Sequence, residues 1–338
     1  MVRDDAERLC RAIRSVQKAV DEVVVLDTGS KDDTVAVAKE EGARVSQIEW
    51  PNNFALALNT LLDQVKTDWT LRLDSDEWFE EDPGEKLRIC AADDNVSHYR
   101  LVRRDLQPQG GYEEIALVRL WRTHPDLKYR GIVHENIPLA AFQQVWPYKV
   151  EKIAPLWFWH DGYGGYLEKI KRNIPLMERE LQGHPGQPFY EAMLAKGYKD
   201  VGDPRWKEMM NAIVDRSLES DQAPSPVLSA VFIDVLDNVA GPDLQDPKID
   251  RVIARALKWF GGSPQVILAI SNLELRRGRR KEALDALLVL EQMATTGHYD
   301  RSMPVNPALF GKPFWKHLDR IADQLGRWDV CQRCQEHL

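Results

Sequence analysis

Two short apolar segments of this chain each end in an acidic turn, and this pattern constrains the fold more than any other feature. Val23–Leu26 is a continuous apolar run that stops at Asp27. Trp69–Leu73 has alternating apolar positions and runs directly into Asp74-Ser75-Asp76. Continuous apolar runs of this length are typical of strands that are covered on both faces. Because helices usually supply that cover, the sequence predicts an α/β domain.

Helical periodicity fills the intervals between these segments. Apolar residues recur at helical spacing over residues 5–19, 33–41 and 54–65, and a further strand is predicted over Ala43–Ile48. Strands that alternate with helices through short links predict right-handed crossovers and a mainly parallel sheet. Ligands of such sheets bind outside the carboxyl ends of the strands. We therefore expect the acidic turns after both strands to face one crevice.

The distribution of charge is consistent with that crevice. The 338 residues have a formal net charge of -8, and residues 1–95 hold 12 basic and 22 acidic side chains. Residues 96–160 hold 9 basic and 6 acidic side chains, which leaves a local basic surface. The acidic total argues against a nucleic-acid coat protein and a polybasic membrane anchor. No transmembrane segment and no secretory signal are visible, so the expected location is cytoplasmic.

The Asp74-x-Asp76 spacing suits a divalent cation. Side chains two residues apart in an extended chain lie on the same side, so both carboxylates can approach one ion. Mg²⁺ and Mn²⁺ usually take one or two carboxylates together with substrate phosphates, and can neutralise charge on a departing diphosphate. A solvated loop is the ordinary alternative for such a pair, but the position directly after a buried strand favours the metal.

Strand signals fade from about residue 166, and helices follow. Residues 264–277 and 281–293 predict a helix–turn–helix hairpin of tetratricopeptide length, and residues 314–325 with 328–338 repeat the format. Stacked hairpins often form peptide-binding or dimer surfaces, although a scaffold without its own ligand is the alternative. We predict an α/β domain over residues 1–165 and a helical-repeat region over residues 166–338.

Five motifs occur in order along the first 180 residues. They are VVVLDTGSKDDT (residues 23–34), Trp50…Phe54…Asn59, LRLDSDEWF (residues 71–79), RLWR…YRGIVHE (residues 119–135) and His160-Asp161-Gly162-Tyr163. Together they resemble the motifs of family 2 glycosyltransferases with the Rossmann-like GT-A fold, and of one branch in particular. Members of that branch carry tetratricopeptide-like helices at the C-terminus, and peptide S-glycosyltransferases are among their relatives.

The resemblance implies a metal-dependent, inverting transfer of sugar from a nucleotide-sugar, with a UDP-sugar as the first expectation. A peptide, a saccharide or lipid-linked saccharide, and a modified DNA base are all compatible acceptors. The implied cofactor is Mn²⁺ or Mg²⁺, with Asp76 and His160 as ligands. The implied nucleotide-sugar contacts are Asp27, Ser30, Asn59, Asp74, Arg122, Arg130 and His134.

An inverting transfer needs a base to take the proton of the acceptor. The candidates are Glu135, Asp161 and Glu114, and Glu135 comes first because it follows His134 in the resembling element. Ordinary structural roles are the alternatives for several of these residues. Asp27 can cap its own turn, and His160 can be a packed histidine with both nitrogens bonded.

The sequence departs from the family pattern in two places. The family opens with an apolar strand that lines the nucleotide base, whereas here Met1-Val2 is followed at once by Arg3-Asp4-Asp5, so the first strand is largely missing. Leu58 stands where the family usually has Arg. The alternative function is therefore a catalytically weakened, glycosyltransferase-like binding module. Its helical repeats would act as an adaptor for a protein partner or a second copy.

Overall fold

The computed structural model describes residues 1–162, 164–222 and 225–338, and these form two compact units, Met1–Glu180 and Leu181–Leu338. The first unit combines sheets with helices and the second is helical, which confirms the predicted fold class. The division between the units lies inside a long helix. That helix begins at Tyr166, where the sequence analysis places the start of the helical region.

The strands of the first unit are β1 (Val24–Asp27), β2 (Arg44–Gln47), β3 (Trp69–Leu71), β4 (Glu77–Trp78), β5 (Val96–Leu106), β6 (Tyr112–Arg122) and β7 (Val150–His160). Its helices are α1 (Ala6–Val16), α2 (Thr34–Glu40), α3 (Phe54–Leu62), α4 (Gly84–Ala91), α5 (Leu139–Val145) and α6 (Tyr166–Gly183), the last of which contains the division.

The strands form two sheets of mixed direction. β1 pairs with β2 in parallel, and the second sheet has the order β3-β6-β5-β7-β4. Only β5 and β7 are parallel there, because β6 turns back from β5 as a hairpin. Gly110 and Gly111 allow this turn with φ values of +91° and +80°. The expected mainly parallel sheet is therefore a mixed one, and its three longest strands lie where the sequence analysis placed none.

The N-terminus forms a short stub of strand beside β1. The Val2 N–H donates to the Leu26 carbonyl at 2.9 Å, and the Val2 carbonyl accepts from the Thr28 N–H at 3.0 Å. Met1 lies at the edge of a cavity of about 570 Å³. Val23 and Val24 line one side of this cavity, and the β3 segment lines the other. The edges of β1 and β3 thus face each other across a gap.

Apolar side chains on alternate strand positions build the core of this unit. Leu26, Leu101 and Phe158 are completely buried. Val16 of helix α1 packs in the cluster of Leu101 and Phe158, whereas Leu9 and Ile13 of the same helix pack with Val25 and Ala38 in a second cluster. The apolar parts of the strands are therefore buried, and the strand ends with their polar side chains lie at the edge of the unit.

The second unit consists of consecutive helices. They are α7 (Pro188–Asp200), α8 (Arg205–Leu218), α9 (Leu228–Asn238), α10 (Pro247–Phe260), α11 (Pro264–Arg276), α12 (Arg280–Thr296), α13 (Lys312–Gln324) and α14 (Trp328–Gln335), with 3₁₀ turns at Gly241–Gln245 and Pro307–Phe310.

The two predicted hairpins are present as α11–α12 and α13–α14. Gly278 and Gly326, with φ values of +75° and +67°, provide the turns between their helices. Apolar residues of α7 to α11 form one core around Phe232, and those of α11 to α14 form another around Leu287 and Leu318. Among the described residues, no helix is long and apolar enough to cross a membrane.

We expect Phe232→Ala to lower the free energy of unfolding of the helical unit by about 3 to 5 kcal/mol, because the fully buried ring leaves a cavity. Trp328→Ala is the matched control, since that ring is 68% exposed and its removal leaves no cavity. Urea unfolding followed by circular dichroism checks both. Equal losses in the two variants would contradict this assignment of the core.

Candidate active site

The acidic segment after β3 folds back on itself and leads into β4. The Asp74 N–H donates to Glu77 Oε2 at 2.9 Å, and the Glu77 N–H donates to the Asp74 carbonyl at 3.0 Å. β4 then pairs antiparallel with the end of β7, so that Glu77 lies opposite His160. This pairing brings Asp76 beside His160, as the resemblance implies.

The Asp76 carboxylate and the His160 imidazole point to one spot next to Gly162. Asp76 Oδ2 lies 3.5 Å from His160 Nε2 and 3.8 Å from Lys169 Nζ. A β-carbon at Gly162 would collide with both Asp76 Oδ2 and His160 Nε2, so only glycine leaves this space open. Tyr163, the last residue of the fifth motif, lies outside the described residues.

Hydrogen bonds across β5 and β7 control the charge of His160. Burial lowers the pKa of the imidazole, but hydrogen bonds with Asp105 and Asp76 outweigh burial and raise it to about 9. Burial also acts to raise the pKa of Asp76, and the contacts with His160 and Lys169 lower it below its ordinary value. At neutral pH and without a metal ion, the imidazole of His160 is therefore protonated and lies between two carboxylates.

Asp74 is held by two guanidinium groups. Its carboxylate lies 3.2 Å from Arg72 Nε and 3.0 Å from an Arg119 terminal nitrogen. Burial acts to raise the pKa of Asp74, but the charges of Arg72 and Arg119 hold it well below its usual range. Glu77 is fully buried with Arg119 2.5 Å away, and burial raises the pKa of this carboxyl. Sequence reasoning had left Glu77 outside the site.

Asp27 is buried and caps its own turn. Its carboxylate accepts the N–H groups of Gly29 and Ser30 at 3.1 and 3.2 Å, the Ser30 hydroxyl, and the Gln47 amide at 3.3 Å. Burial acts to raise the pKa of Asp27, and these hydrogen bonds lower it. Asp27 therefore has the turn-capping role given above as its alternative, and its contact with the nucleotide-sugar stays a prediction.

The N-terminal segment connects the two acidic turns. The Asp4 N–H donates to Ser30 Oγ at 2.9 Å, and the Ser75 hydroxyl donates to Asp5 Oδ2 at 2.6 Å. Asp4 and Asp5 therefore bridge the turn after β1 and the turn after β3. The two turns lie on the same side of the unit, as the strand-end rule predicts.

The segment around Glu135 reaches the same region. Glu135 Oε1 lies 2.9 Å from an Arg72 terminal nitrogen, so Arg72 joins Glu135 to Asp74. His134 has a left-handed φ of +54°, and burial lowers its pKa to about 4. Asn59 uses its amide group to bind both the N–H and the carbonyl of Tyr129, which anchors this segment to α3.

Other predicted residues lie elsewhere. Arg122 is at the opposite end of β3 from Asp74, paired with Trp69, and its guanidinium donates to the carbonyls of Asp93 and Val96. The structure does not bring Arg122 to the acidic turns, because these donors bind the loop before β5. Arg130 is exposed on the segment that follows Tyr129.

The two other candidate bases are ion-paired. Asp161 lies 2.8 Å from Arg11 and 3.2 Å from Arg8, and Glu114 lies 3.0 Å from Arg104. Arg104 alternates along β5 with Asp105, which contacts His160, so Glu114 and its partner lie on the other face of the sheet.

The sequence analysis does not single out Arg72, Arg103, Asp105 or Arg119. Arg103 and Arg119 bind carboxylates of the site. Their position follows from the pairing of β5, β6 and β7, which no local pattern reveals. Charged residues on alternate positions of an apolar strand, as at Arg103 and Asp105, are the one available signal.

The residues at the spot beside Gly162 fit a divalent cation that also binds substrate. The described residues contain no group of three or more His, Cys, Asp or Glu side chains that could hold a metal by themselves. One carboxylate and one imidazole leave the remaining coordination positions for phosphate oxygens and water, as in many nucleotide sites. The imidazole nitrogen favours Mn²⁺ over Mg²⁺, which binds almost only oxygen.

Ligands of open α/β sheets bind outside the carboxyl ends of the strands, and this unit carries its acidic groups at such ends. Residues 2–107 match the model of the family described as "Glycosyl transferase family 2". The N-terminal part of the chain is therefore similar to this family, as the motifs predicted.

Two curated proteins are similar over a larger range. A "TPR repeat-containing protein" of Synechococcus elongatus is 33% identical over 220 residues, which are 60% of this chain and 52% of that protein. The "SPbeta prophage-derived glycosyltransferase SunS" of Bacillus subtilis is 26% identical over 195 residues, which are 56% of this chain and 45% of that protein. The chain thus spans about half the length of these relatives.

Among solved structures, glucosyl-3-phosphoglycerate synthase from Mycobacterium tuberculosis in complex with Mn²⁺ and UDP-glucose is similar with a TM-score of 0.37 and 15% identity. The alignment covers 52% of this chain and 74% of that one. A similarity of this size says nothing about the ligands of this chain.

The metal-free protein should lose stability as pH rises through the pKa of His160. The folded-state pKa is about 9, above the ordinary value of 6.5, so this contribution is complete below pH 6.5 and disappears above pH 9. With chelator present, we expect the wild type to lose about 2 to 3 kcal/mol between pH 6.5 and 9.5 relative to His160→Gln. Urea unfolding at several pH values measures this difference, and parallel profiles for the two proteins would contradict it.

Proposed function

We propose that this protein is a metal-dependent, inverting glycosyltransferase that uses a UDP-sugar. The convergence of Asp76 and His160 beside Gly162, at the end of the strand region where nucleotides bind, is the observation that carries the proposal. The family of residues 2–107 and the five ordered motifs support it. The acceptor, the cytoplasmic location and a partner of the helical unit stay predictions from the sequence.

In this mechanism Asp76 and His160 would hold Mn²⁺ or Mg²⁺. The bound cation would supply charge neutralisation for the departing diphosphate. Lys169 places a further positive charge 3.8 Å from Asp76, and its ammonium group donates to the Gly162 carbonyl at 2.7 Å. Lys169 therefore keeps the beginning of α6 close to the leaving group.

Glu135 is the proposed base that takes the proton of the acceptor. Its side chain is mostly buried, and its ion pair with Arg72 fixes one carboxylate oxygen. The other oxygen remains for the acceptor. Asp74, bound to the same Arg72, is proposed to contact the ribose or to belong to the second shell of the metal.

Asp76→Ala should abolish metal-dependent turnover, because it removes the carboxylate ligand. We expect the wild type with Mn²⁺ to hydrolyse one donor of a nucleotide-sugar panel slowly, and the variant to be at least about 100-fold slower. Asp126→Ala is the control, since that carboxylate is 79% exposed and away from the acidic turns. Release of nucleoside diphosphate is the measurement. A panel without any donor binding by calorimetry would refute the proposal, and release of pyrophosphate would indicate nucleotidyl transfer instead.

The alternative, a weakened binding module, has one specific observation in its favour. The gap between β1 and β3 leaves the two sheets unconnected beside Asp74. Two open strand edges are a costly feature for a catalytic domain.

Joining four apolar residues to the N-terminus of Met1 distinguishes the two functions. In the register fixed by Val2, such an extension runs beside Val24. We expect a higher melting temperature and faster donor hydrolysis than with a Gly-Ser extension of equal length. Higher stability without turnover would favour the binding module, and no change in either property would show that the gap does not accept a strand.

A further inference from the structure

A buried carboxylate stands directly behind His160. Asp105 lies at the end of β5, opposite His160 in the parallel register between β5 and β7, and it is 1% exposed. Its Oδ1 atom is 2.8 Å from His160 Nδ1. The opposite nitrogen of the ring, Nε2, faces Asp76. The imidazole is therefore held between two carboxylates, of which one is deep in the sheet and the other is at the open spot.

Asp105 is itself fixed from the other side. Arg103 Nε lies 2.6 Å from Asp105 Oδ1, and a terminal nitrogen of Arg103 donates to Asp105 Oδ2 at 3.1 Å. The same guanidinium reaches Glu77 at 3.5 Å. Both oxygens of Asp105 are engaged and the side chain is buried. These contacts hold the carboxylate in its orientation towards His160.

This geometry determines which nitrogen of His160 carries a proton. An ionised carboxylate can only accept hydrogen bonds, so the nitrogen that contacts Asp105 must be Nδ1–H. In a neutral ring, the lone pair is then on Nε2 and points towards the spot that Asp76 shares. Histidines that bind metals typically donate their second N–H to a carboxylate in this way, which sets the ring orientation and increases the basicity of the ligand.

We propose that Asp105 is a positioning residue that fixes His160 in the Nδ1–H form with Nε2 directed at the cation. The inference rests on the cation of the proposed function. It adds a residue that touches neither substrate nor metal and that acts only through His160.

Asp105→Asn tests this role, because the amide has nearly the same shape but no charge and can present N–H groups to Nδ1. We expect the affinity for Mn²⁺, measured with UDP by electron paramagnetic resonance of the free ion, to fall about 10- to 100-fold. Glu151→Gln is the matched control. It changes a carboxylate 2.8 Å from His98 Nε2 in the same sheet, and its Mn²⁺ affinity should equal that of the wild type.

A spectroscopic measurement on the wild type keeps the test independent of how well the variant folds. In the complex with UDP and Zn²⁺, a diamagnetic cation that binds imidazole, ¹⁵N-labelled His160 should show a proton bonded to Nδ1 and none on Nε2. A wild type with the proton on Nε2, or an Asp105→Asn variant that is folded and binds Mn²⁺ as tightly as the wild type, would overturn the inference.

The outcome for the proposed function is separate. If the wild type has the Nδ1–H form but Mn²⁺ binds no better than to Asp76→Ala, the cation of the proposed function is refuted, and the positioning role falls with it. If Asp76→Ala loses Mn²⁺ and Asp105→Asn does not, only the role of Asp105 is refuted.

Discussion

The buried ion pair between Glu77 and Arg119 is the interaction on which the site depends. Glu77 is completely buried and Arg119 is 4% exposed, so removal of either partner would leave an uncompensated charge that costs about 3 to 5 kcal/mol. The pair also fixes Asp74, since Glu77 accepts its N–H and Arg119 binds its carboxylate. With the turn held in this way, β4 can pair with β7, and that pairing places Asp76 beside His160.

Charge around this pair is nearly balanced. The connected side chains are five carboxylates (Asp74, Asp76, Glu77, Asp105, Glu135) and four permanent cations (Arg72, Arg103, Arg119, Lys169). A proton on His160 supplies the missing positive charge, which explains in physical terms why the pKa of this imidazole is raised to about 9. A divalent cation would replace that proton, so metal binding and proton release are coupled at this position.

How well the sequence predicted each part depends on the range of the interactions. The hairpins α11–α12 and α13–α14 follow from local periodicity and from turns at Gly278 and Gly326, and both were predicted. The acidic turns were located because they directly follow apolar strands. The contact between Asp105 and His160 joins residues 55 apart through a parallel pairing with register shifts. No local pattern encodes that pairing, and the same is true of the mixed direction of the sheet.

The pairing of β5 with β6 and the ion pairs of the site distinguish the three candidate bases. Glu114 faces away from His160, because it pairs with Arg104 on the alternate face of β5. Asp161 is bound by two arginines, and each of its carboxylate oxygens lies next to one guanidinium group. Glu135 has one such partner, and this partner, Arg72, also binds Asp74. Among the three, Glu135 is therefore the carboxylate that retains an oxygen for an acceptor and is joined to the acidic turn at the same time.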